Sequence, residues 1–161
     1  MFKKILVPLD GSKLAAKILP QVADLAKTQA AQVTLLTVYP DLKGAVSGEL
    51  AEKLVAQEVK SCEGYLAQAA KDLKAQGIKV ETNCTVGMPP QDIITYAAKN
   101  GMDLIVMATH GKGEVAWMLG SVAEKVVTHA TVPVLLFRVM GAEPPKTKEE
   151  QFLDMLDRGI P

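Results

Sequence analysis

The chain has 161 residues, enough for one domain with a sizeable core, and its 18 basic residues balance its 18 acidic residues. A formal net charge of zero excludes the broad basic field that holds nucleic acids without sequence preference. No apolar stretch approaches the roughly 18 to 20 residues that span a bilayer, so membrane insertion is not expected.

The N-terminal segment, MFKKILVPLDGS, combines two lysines with a short apolar run but lacks a small-residue cleavage site. It predicts a strand that enters a turn, not a secretory signal peptide. The two cysteines, Cys62 and Cys84, fall in no motif. We therefore expect two ordinary reduced thiols in a cytoplasmic protein.

Strand and helix patterns alternate along the first half of the chain. Residues 5–7 form a short apolar run typical of a buried strand, and Ser12 offers a side-chain cap for the helix that follows. Pro20 falls within that helix, where it should kink the helix or remove one hydrogen bond. Residues 33–38 (VTLLTV) predict a second strand. A long helix from about 47 to 76 is predicted by an apolar seam of Val55, Val59, Cys62, Leu66, Ala69 and Leu73.

The second half of the chain continues this alternation after Gly77, which occupies the position where glycine commonly ends a helix. The patterns predict a strand, a helix, a strand, a helix and a strand at 78–86, 91–100, 104–107, 122–130 and 132–139. Five strands separated by four helical segments predict a doubly wound, Rossmann-like α/β fold. Its five-stranded sheet is mostly parallel and is covered by helices on both faces.

A strand order of 3-2-1-4-5 in this sheet predicts where a ligand binds. The winding then reverses between the first and fourth strands, and such sheets bind ligands at the carboxyl ends of the strands at that reversal. Two segments follow these strand ends, Pro8-Leu9-Asp10 and Ala108-Thr109-His110-Gly111. We expect both segments to face one cleft.

Two glycines, Gly111 and Gly120, border the loop after the fourth strand. Glycine leaves backbone N–H groups accessible, and Gly120-Ser121 begins the predicted helix 122–130, whose N-terminus favours phosphate. Ser121 also has a local interpretation as the helix cap, with Glu124 completing a capping box. The two interpretations are compatible.

Other chemistry has less support in the sequence. A G-x-G-x-x-A match at 111–116 follows the fourth strand and not the first, where a dinucleotide-binding motif is expected. The last strand also has no acidic residue to hold a ribose. Both observations disfavour a dinucleotide site. No GxxxxGK[ST] motif is present. His110 has no serine or cysteine partner that the sequence can assign, and no His/Cys/carboxylate cluster has the spacing of a metal site.

Several motifs together resemble the universal stress protein family over residues 1 to about 140: KKILVPLDGS, LLTV, VMATHGKG, LGSVAEKVV and VPVLLF. The resemblance implies a small cytoplasmic α/β protein of the adenine nucleotide alpha hydrolase-like type, usually dimeric. One branch of the family binds ATP through a G-x-x-G-x9-G-[ST] loop, and another lacks that loop and binds little or none. This chain has Ala108 at the first glycine position, and eight residues, not nine, separate Gly111 from Gly120.

The resemblance also implies roles for individual positions. Asp10 would contact the ribose or adenosine side, the backbone of Val38 would hold the adenine, and the backbone at Ala108 would meet the ribose. The phosphates would meet residues 120–122 and Gly111, and Lys112 would neutralise their charge. A Mg²⁺ ion could accompany the phosphates at Asp10, although one carboxylate does not establish a metal site. The expected nucleotide-binding residues are Pro8, Leu9, Asp10, Val38, Ala108, Thr109, His110, Gly111, Lys112, Gly120, Ser121 and Val122.

Three function hypotheses follow. The leading one is a nucleotide-binding stress or regulatory protein that uses ATP as a signal, with at most slow hydrolysis. The alternative is a dimeric interaction module that needs no nucleotide. A true enzyme, such as a relative of the ATP pyrophosphatases, is the weakest because no phosphate loop follows the first strand. In either of the first two cases the last strand, 132–139, is expected to be the edge through which two copies pair.

The chain outside the expected domain of residues 1–140 forms a polar tail, 141–161. Pro144-Pro145 precede Thr147 and Glu150, which could form a capping box at the start of a short amphipathic helix. This helix would pack on its own domain or offer a surface to a partner. Trp117, the one tryptophan, is expected in core or dimer packing, or as a lid over the ligand.

Overall fold

The computed structural model describes residues 1–40, 49–110 and 119–139, together with positions 149, 153 and 155. The strands are β1 (Lys4–Pro8), β2 (Gln32–Tyr39), β3 (Val80–Val86), β4 (Leu104–Ala108) and β5 (Val134–Phe137). The helices are α1 (Leu19–Gln29), α2 (Glu49–Ala75), α3 (Pro89–Lys99) and α4 (Ser121–His129). All strand pairs are parallel and the order is β3-β2-β1-β4-β5, so the predicted doubly wound fold and strand order are confirmed.

Helices cover both faces of the sheet because its central strands are apolar on both sides. Helices α1 and α2 pack on one face over a core that includes Val7 and Leu35, and α3 and α4 pack on the other over Leu6 and Leu36. These four strand side chains are completely buried. None of the described helices is both long enough and apolar enough to cross a bilayer.

The start of α1 differs from the prediction. A short 3-10 turn, Ala15–Ile18, precedes α1, and the Ser12 hydroxyl accepts the Ala15 N–H at 3.0 Å. The α-helix begins only at Leu19, so Pro20 lies in its first turn and not in its interior. The expected kink is therefore wrong, because an N–H in the first turn has no partner within the helix and its loss costs nothing.

The start of α4 corrects a second expectation. Gly120 is the N-cap residue of this helix and Ser121 is its first helical residue. The Glu124 N–H donates to the Gly120 carbonyl at 2.8 Å, which makes Glu124 the fourth helical residue and not the third. The capping box predicted for Ser121 and Glu124 is therefore wrong by one position.

Cys62 of α2 and Cys84 of β3 form a disulfide, with their Cα atoms 6.3 Å apart. The expectation of two ordinary reduced thiols is wrong. The 22-residue separation carries no motif, but α2 packs across β3, and this packing brings both side chains to one place. Sequence spacing alone cannot reveal a pairing of this kind, because it depends on the tertiary packing.

A fork opens in the sheet between β1 and β4. The two strands pair only through Ile5 with Leu104 and Leu6 with Ile105. Beyond Leu6, β1 continues beside β2, and β4 continues beside β5 as far as Ala108. The carboxyl ends of the two inner strands therefore separate, which is the geometry that the predicted ligand cleft requires.

The opposite end of these strands is held together by Asp103. Its Oδ2 atom accepts the backbone N–H groups of Lys3 at 2.7 Å and Lys4 at 2.8 Å. These two hydrogen bonds, with a smaller contribution from the charge of Lys4, lower the pKa of the Asp103 carboxyl below its ordinary value. The closed end thus fixes β1 and β4 side by side while the fork opens at the other end.

The last strand and the tail are only partly as predicted. Strand β5 has four residues, shorter than the predicted 132–139. Positions 149, 153 and 155 have helical backbone, and the side chains of Leu153 and Met155 are exposed. Thr147, Glu150 and the rest of 140–161 lie outside the described residues, so the tail helix and the domain boundary stay predictions.

Candidate functional site

A cavity of about 600 Å³ opens at the fork between β1 and β4. Its walls come from the carboxyl ends of β1, β2 and β4, from one face of α2, and from the first turns of α3 and α4. This volume lies within the range of pockets that bury a small molecule or cofactor. Nine of the predicted site residues line it: Pro8, Leu9, Asp10, Val38, Ala108, Thr109, His110, Ser121 and Val122.

Gly120 is buried just behind this lining, and its N–H donates to the Thr109 carbonyl at 2.9 Å. This bond joins the two ends of the loop between β4 and α4, so the shortened loop still returns α4 to the carboxyl end of β4. The N-terminus of α4 therefore lies at the cavity, with Ser121 and Val122 in its wall. Gly111, Lys112 and Trp117 fall within 111–118, outside the described residues.

Asp10 is oriented by the turn that follows β1. Gly11 has a φ of 81°, a conformation that favours glycine, and it turns the chain so that Ser12 reaches back to Asp10. Asp10 Oδ1 accepts the Ser12 N–H at 2.9 Å and the Ser12 hydroxyl at 2.5 Å. The carboxylate is thereby held at the mouth of the cavity.

Tyr65 of α2 fixes the same turn from the other side. Its hydroxyl donates to the Ser12 carbonyl at 2.9 Å. Burial, and secondarily the negative charge of Asp10, raise the pKa of Tyr65 to about 12. The phenol therefore stays neutral and acts as a donor at physiological pH.

Thr109 and His110 form the floor of the cavity on the β4 side. The Thr109 N–H donates to the Phe137 carbonyl at 2.9 Å, which extends the pairing of β4 with β5 by one residue. Thr109 Oγ1 lies 2.7 Å from His110 Nδ1, and the two share a hydrogen bond whose direction depends on the imidazole tautomer. His110 is only 3% exposed, so this pair offers fixed polar groups in a closed environment.

The carboxyl end of β2 supplies the side of the cavity next to Val38. Thr37 is 7% exposed and lines the cavity. Among the described residues, its hydroxyl is the buried side-chain oxygen that lacks a hydrogen-bond partner. Burial, followed by the charges of Glu58 and Glu63, raises the pKa of the neighbouring Tyr39.

The wall formed by α2 was missed by sequence reasoning. Four of its residues line the cavity at helical spacing: Glu58, Ser61, Cys62 and Tyr65. The predicted apolar seam included Cys62 but indicated only burial against the sheet. Since residues at i, i+3, i+4 and i+7 share a helix face, the polar groups on either side of Cys62 were the signal that this face also meets a ligand cavity.

The described lining contains two carboxylates, Asp10 and Glu58, and neither lysine nor arginine. A phosphate held by these described residues would therefore depend on backbone N–H groups and on the positive end of α4. In the part of the chain that the structure describes, no group of three or more His, Cys, Asp or Glu side chains is arranged to hold a metal ion.

Comparison with known sequences identifies the family to which this chain is similar. The sequence model of the Universal stress protein family matches residues 1–138. The chain belongs to this family. A universal stress protein of Methanocaldococcus jannaschii, MJ0531, is 33% identical over 144 residues, covering 86% of this chain and 83% of the relative. The universal stress protein YxiE of Bacillus subtilis is 34% identical over 148 residues, covering 86% of this chain and 100% of the relative.

Solved structures agree with the family membership. The structure of MJ0577, a protein whose biochemical function was assigned from its structure, has a TM-score of 0.80 at 31% identity and covers 88% of this chain and 99% of its own. A universal stress protein in complex with cAMP has a TM-score of 0.66 at 21% identity, and the match covers 86% of this chain and 98% of that protein. One from Archaeoglobus fulgidus in complex with dAMP has a TM-score of 0.64 at 22% identity, and the match covers 84% of this chain and 97% of that protein. At these last two identities the likeness shows the fold alone.

Proposed function

We propose that this universal stress protein binds an adenine nucleotide in the cavity at the fork. We propose ATP as that nucleotide, acting as a signal with at most slow hydrolysis. One observation carries the proposal: residues that the family resemblance assigns to nucleotide binding come from β1, β2, β4 and α4 and surround one cavity of about 600 Å³. The family structures in complex with cAMP and dAMP support adenine as the base. The buried Thr37 hydroxyl supports a polar occupant, because buried polar groups rarely stay without a partner.

The proposed pose follows the chemistry of the walls. The adenine lies by the end of β2 at Val38, the ribose lies between Asp10 and Ala108, and the phosphates meet the N-terminus of α4. Backbone N–H groups and the helix dipole suit the phosphates there. Gly111 and Lys112 complete the phosphate contacts in this proposal. A Mg²⁺ ion would arrive with the triphosphate and approach Asp10, and titrations with and without Mg²⁺ test that part.

Nucleotide extraction and calorimetry test the proposal directly. Purified protein is denatured, and the released small molecules are identified by chromatography and mass; stripped protein is then titrated with ATP, AMP, cAMP and GTP. We expect binding of the adenine compounds and weaker binding of GTP. Gly120→Val should reduce ATP affinity by more than about tenfold, because a branched side chain would intrude at the α4 N-terminus. Val127→Ala, an exposed change on the same helix, is the matched control.

Absence of binding by the wild type up to millimolar concentrations of every adenine compound would overturn the proposal. The shortened loop would then have abolished the nucleotide site, and the protein would act as a nucleotide-independent interaction module.

We propose further that two copies pair through β5. This strand is at one edge of the sheet, next to β4, so its outer N–H and C=O groups face away from the sheet. Val134 and Leu136 pack against the core and would damage the fold if they were charged, whereas Leu135 is 36% exposed. Leu135→Lys should therefore shift sedimentation towards the monomer while far-ultraviolet circular dichroism is unchanged. A wild type that sediments as a monomer at tens of micromolar would contradict the pairing.

We also retain the division of the chain into a domain of residues 1–140 and a tail of 141–161, which the end of the family match at residue 138 supports. We place the protein in the cytoplasm, as the family resemblance implies. Cellular glutathione and thioredoxin reduce most disulfides there, so the Cys62–Cys84 bond would be subject to reduction. Rapid alkylation of cells followed by mass analysis of the two cysteines would measure its state.

A further inference from the structure

We propose that the Cys62–Cys84 disulfide is a reversible thiol-redox site that controls the nucleotide cavity. This inference rests on the proposed function, since it concerns the regulation of the same cavity. Oxidised protein would hold the cavity in its binding form, and reduction would weaken nucleotide binding.

The disulfide lies in the wall of the cavity. Cys62 lines the cavity and shares its α2 face with Glu58, Ser61 and Tyr65. Cys84 lies on β3, directly beside Thr37 in the register of the sheet, and Thr37 lines the cavity as well. The bond therefore ties the α2 wall of the cavity to the sheet through an edge strand.

A chain of contacts connects this bond to the far side of the cavity. Tyr65 follows Cys62 by three residues on α2, and its hydroxyl binds the Ser12 carbonyl. Ser12 in turn orients the Asp10 carboxylate through two hydrogen bonds. A movement of α2 relative to β3 would thus alter both the wall at Cys62 and the position of Asp10.

The redox step is an ordinary thiol–disulfide exchange with a dithiol. Cys84 is the more exposed of the two residues, so a thiolate of the dithiol attacks its sulfur. The Cys62–Cys84 bond breaks, Cys62 leaves as a thiolate, and a mixed disulfide forms at Cys84. The second thiol of the reagent resolves this intermediate, so the protein gains two electrons and two protons and the dithiol becomes a cyclic disulfide.

Calorimetric titration of the oxidised and the dithiothreitol-reduced protein with ATP tests whether the disulfide regulates nucleotide binding. We expect reduction to weaken binding by at least about fivefold, the lower end of typical coupling between two sites. Cys62→Ala/Cys84→Ala is the matched control: it should bind ATP like the reduced wild type and should not respond to dithiothreitol. Equal affinity of the oxidised and reduced wild type would overturn the inference.

Amide hydrogen exchange without nucleotide separates this inference from the proposed function. Reduction should accelerate exchange in α2 around 58–66 and also in the turn 10–16, which the Tyr65 hydrogen bond links to α2. If neither redox state binds a nucleotide but exchange changes in both segments, the proposed function fails and the redox control of the cavity stands. Exchange that changes at α2 and β3 but not at 10–16 would overturn the inference.

Discussion

Replacing Tyr65 by phenylalanine should make the protein less stable at neutral pH and more stable than the wild type in strong alkali. At pH 7 the variant loses the hydrogen bond to the Ser12 carbonyl, 2.9 Å in length, which should cost about 1 kcal/mol of unfolding free energy. The pKa of Tyr65 is raised from 10.0 to about 12 in the folded state. A raised pKa means that the unfolded chain ionises first, so the stabilising contribution is complete below pH 10 and is lost as the pH rises to 12.

The size of that loss sets where the two stability curves cross. Two pKa units correspond to about 2.7 kcal/mol, of which the wild type should lose about 1 kcal/mol by roughly pH 10.7. Urea unfolding of both proteins from pH 7 to 11.5, followed by circular dichroism, should therefore show a crossing near pH 11. The raised pKa of Tyr39 is common to both proteins and cancels in the difference. Parallel curves through pH 11.5 would refute the assignment of Tyr65 as a buried, neutral donor.

Four further perturbations test the local structure around single residues. Reduction of the disulfide should lower the unfolding free energy by about 3 kcal/mol, as expected for a crosslink between residues 22 apart, and a thermal scan with and without dithiothreitol measures it. Asp103→Asn should lower the unfolding free energy at neutral pH. Because the pKa of the Asp103 carboxyl is lowered in the folded state, the difference in unfolding free energy between the two proteins should fade as the pH falls below 3.8, the ordinary pKa of this carboxyl. Acid unfolding of both proteins would show this loss. Gly87→Ala should cost about 1 kcal/mol of unfolding free energy, because its methyl group would meet the Asp92 carboxylate that accepts the Met88 N–H at the start of α3. Gly64→Ala, within α2, should instead raise the unfolding free energy by about 0.5–1 kcal/mol, because its methyl group would meet nothing within 4 Å outside its own helix backbone and chain neighbours. Chemical denaturation of both variants measures the two changes.

Much of the fold could be predicted from the sequence because each element carries its own pattern. The apolar run 104–107 and the β-branched run 33–38 identify buried strands without reference to their neighbours. The errors arose where local chemistry depends on an exact starting residue. Pro20 is harmless because α1 begins at Leu19, and Ser121 is not the cap because α4 begins one residue before the predicted helix. A shift of one to several residues changes such a role without changing the element itself.

The candidate site was predictable where it depends on topology and unpredictable where it depends on helix orientation. Asp10 lies just after β1 and Ala108 is the last residue of β4, so the strand order alone brings them together. The α2 wall depends on the rotation of a 27-residue helix about its axis, which tertiary packing sets. The pairing of Cys62 with Cys84 depends on the same packing. The disulfide has no local signature in the sequence, and the α2 wall has only the polar residues on either side of Cys62 as its signal.

The fork between β1 and β4 makes the cavity a property of the backbone. The opening exists because the backbones of the two strands stop pairing after Leu6, and it does not depend on any one side chain at the mouth. Substitutions around the rim can therefore alter which molecule is accepted without dismantling the scaffold, since specificity resides in the site and not in the fold. Redesign of this protein for a different small molecule should accordingly begin at the rim, with the closed end at Asp103 left intact.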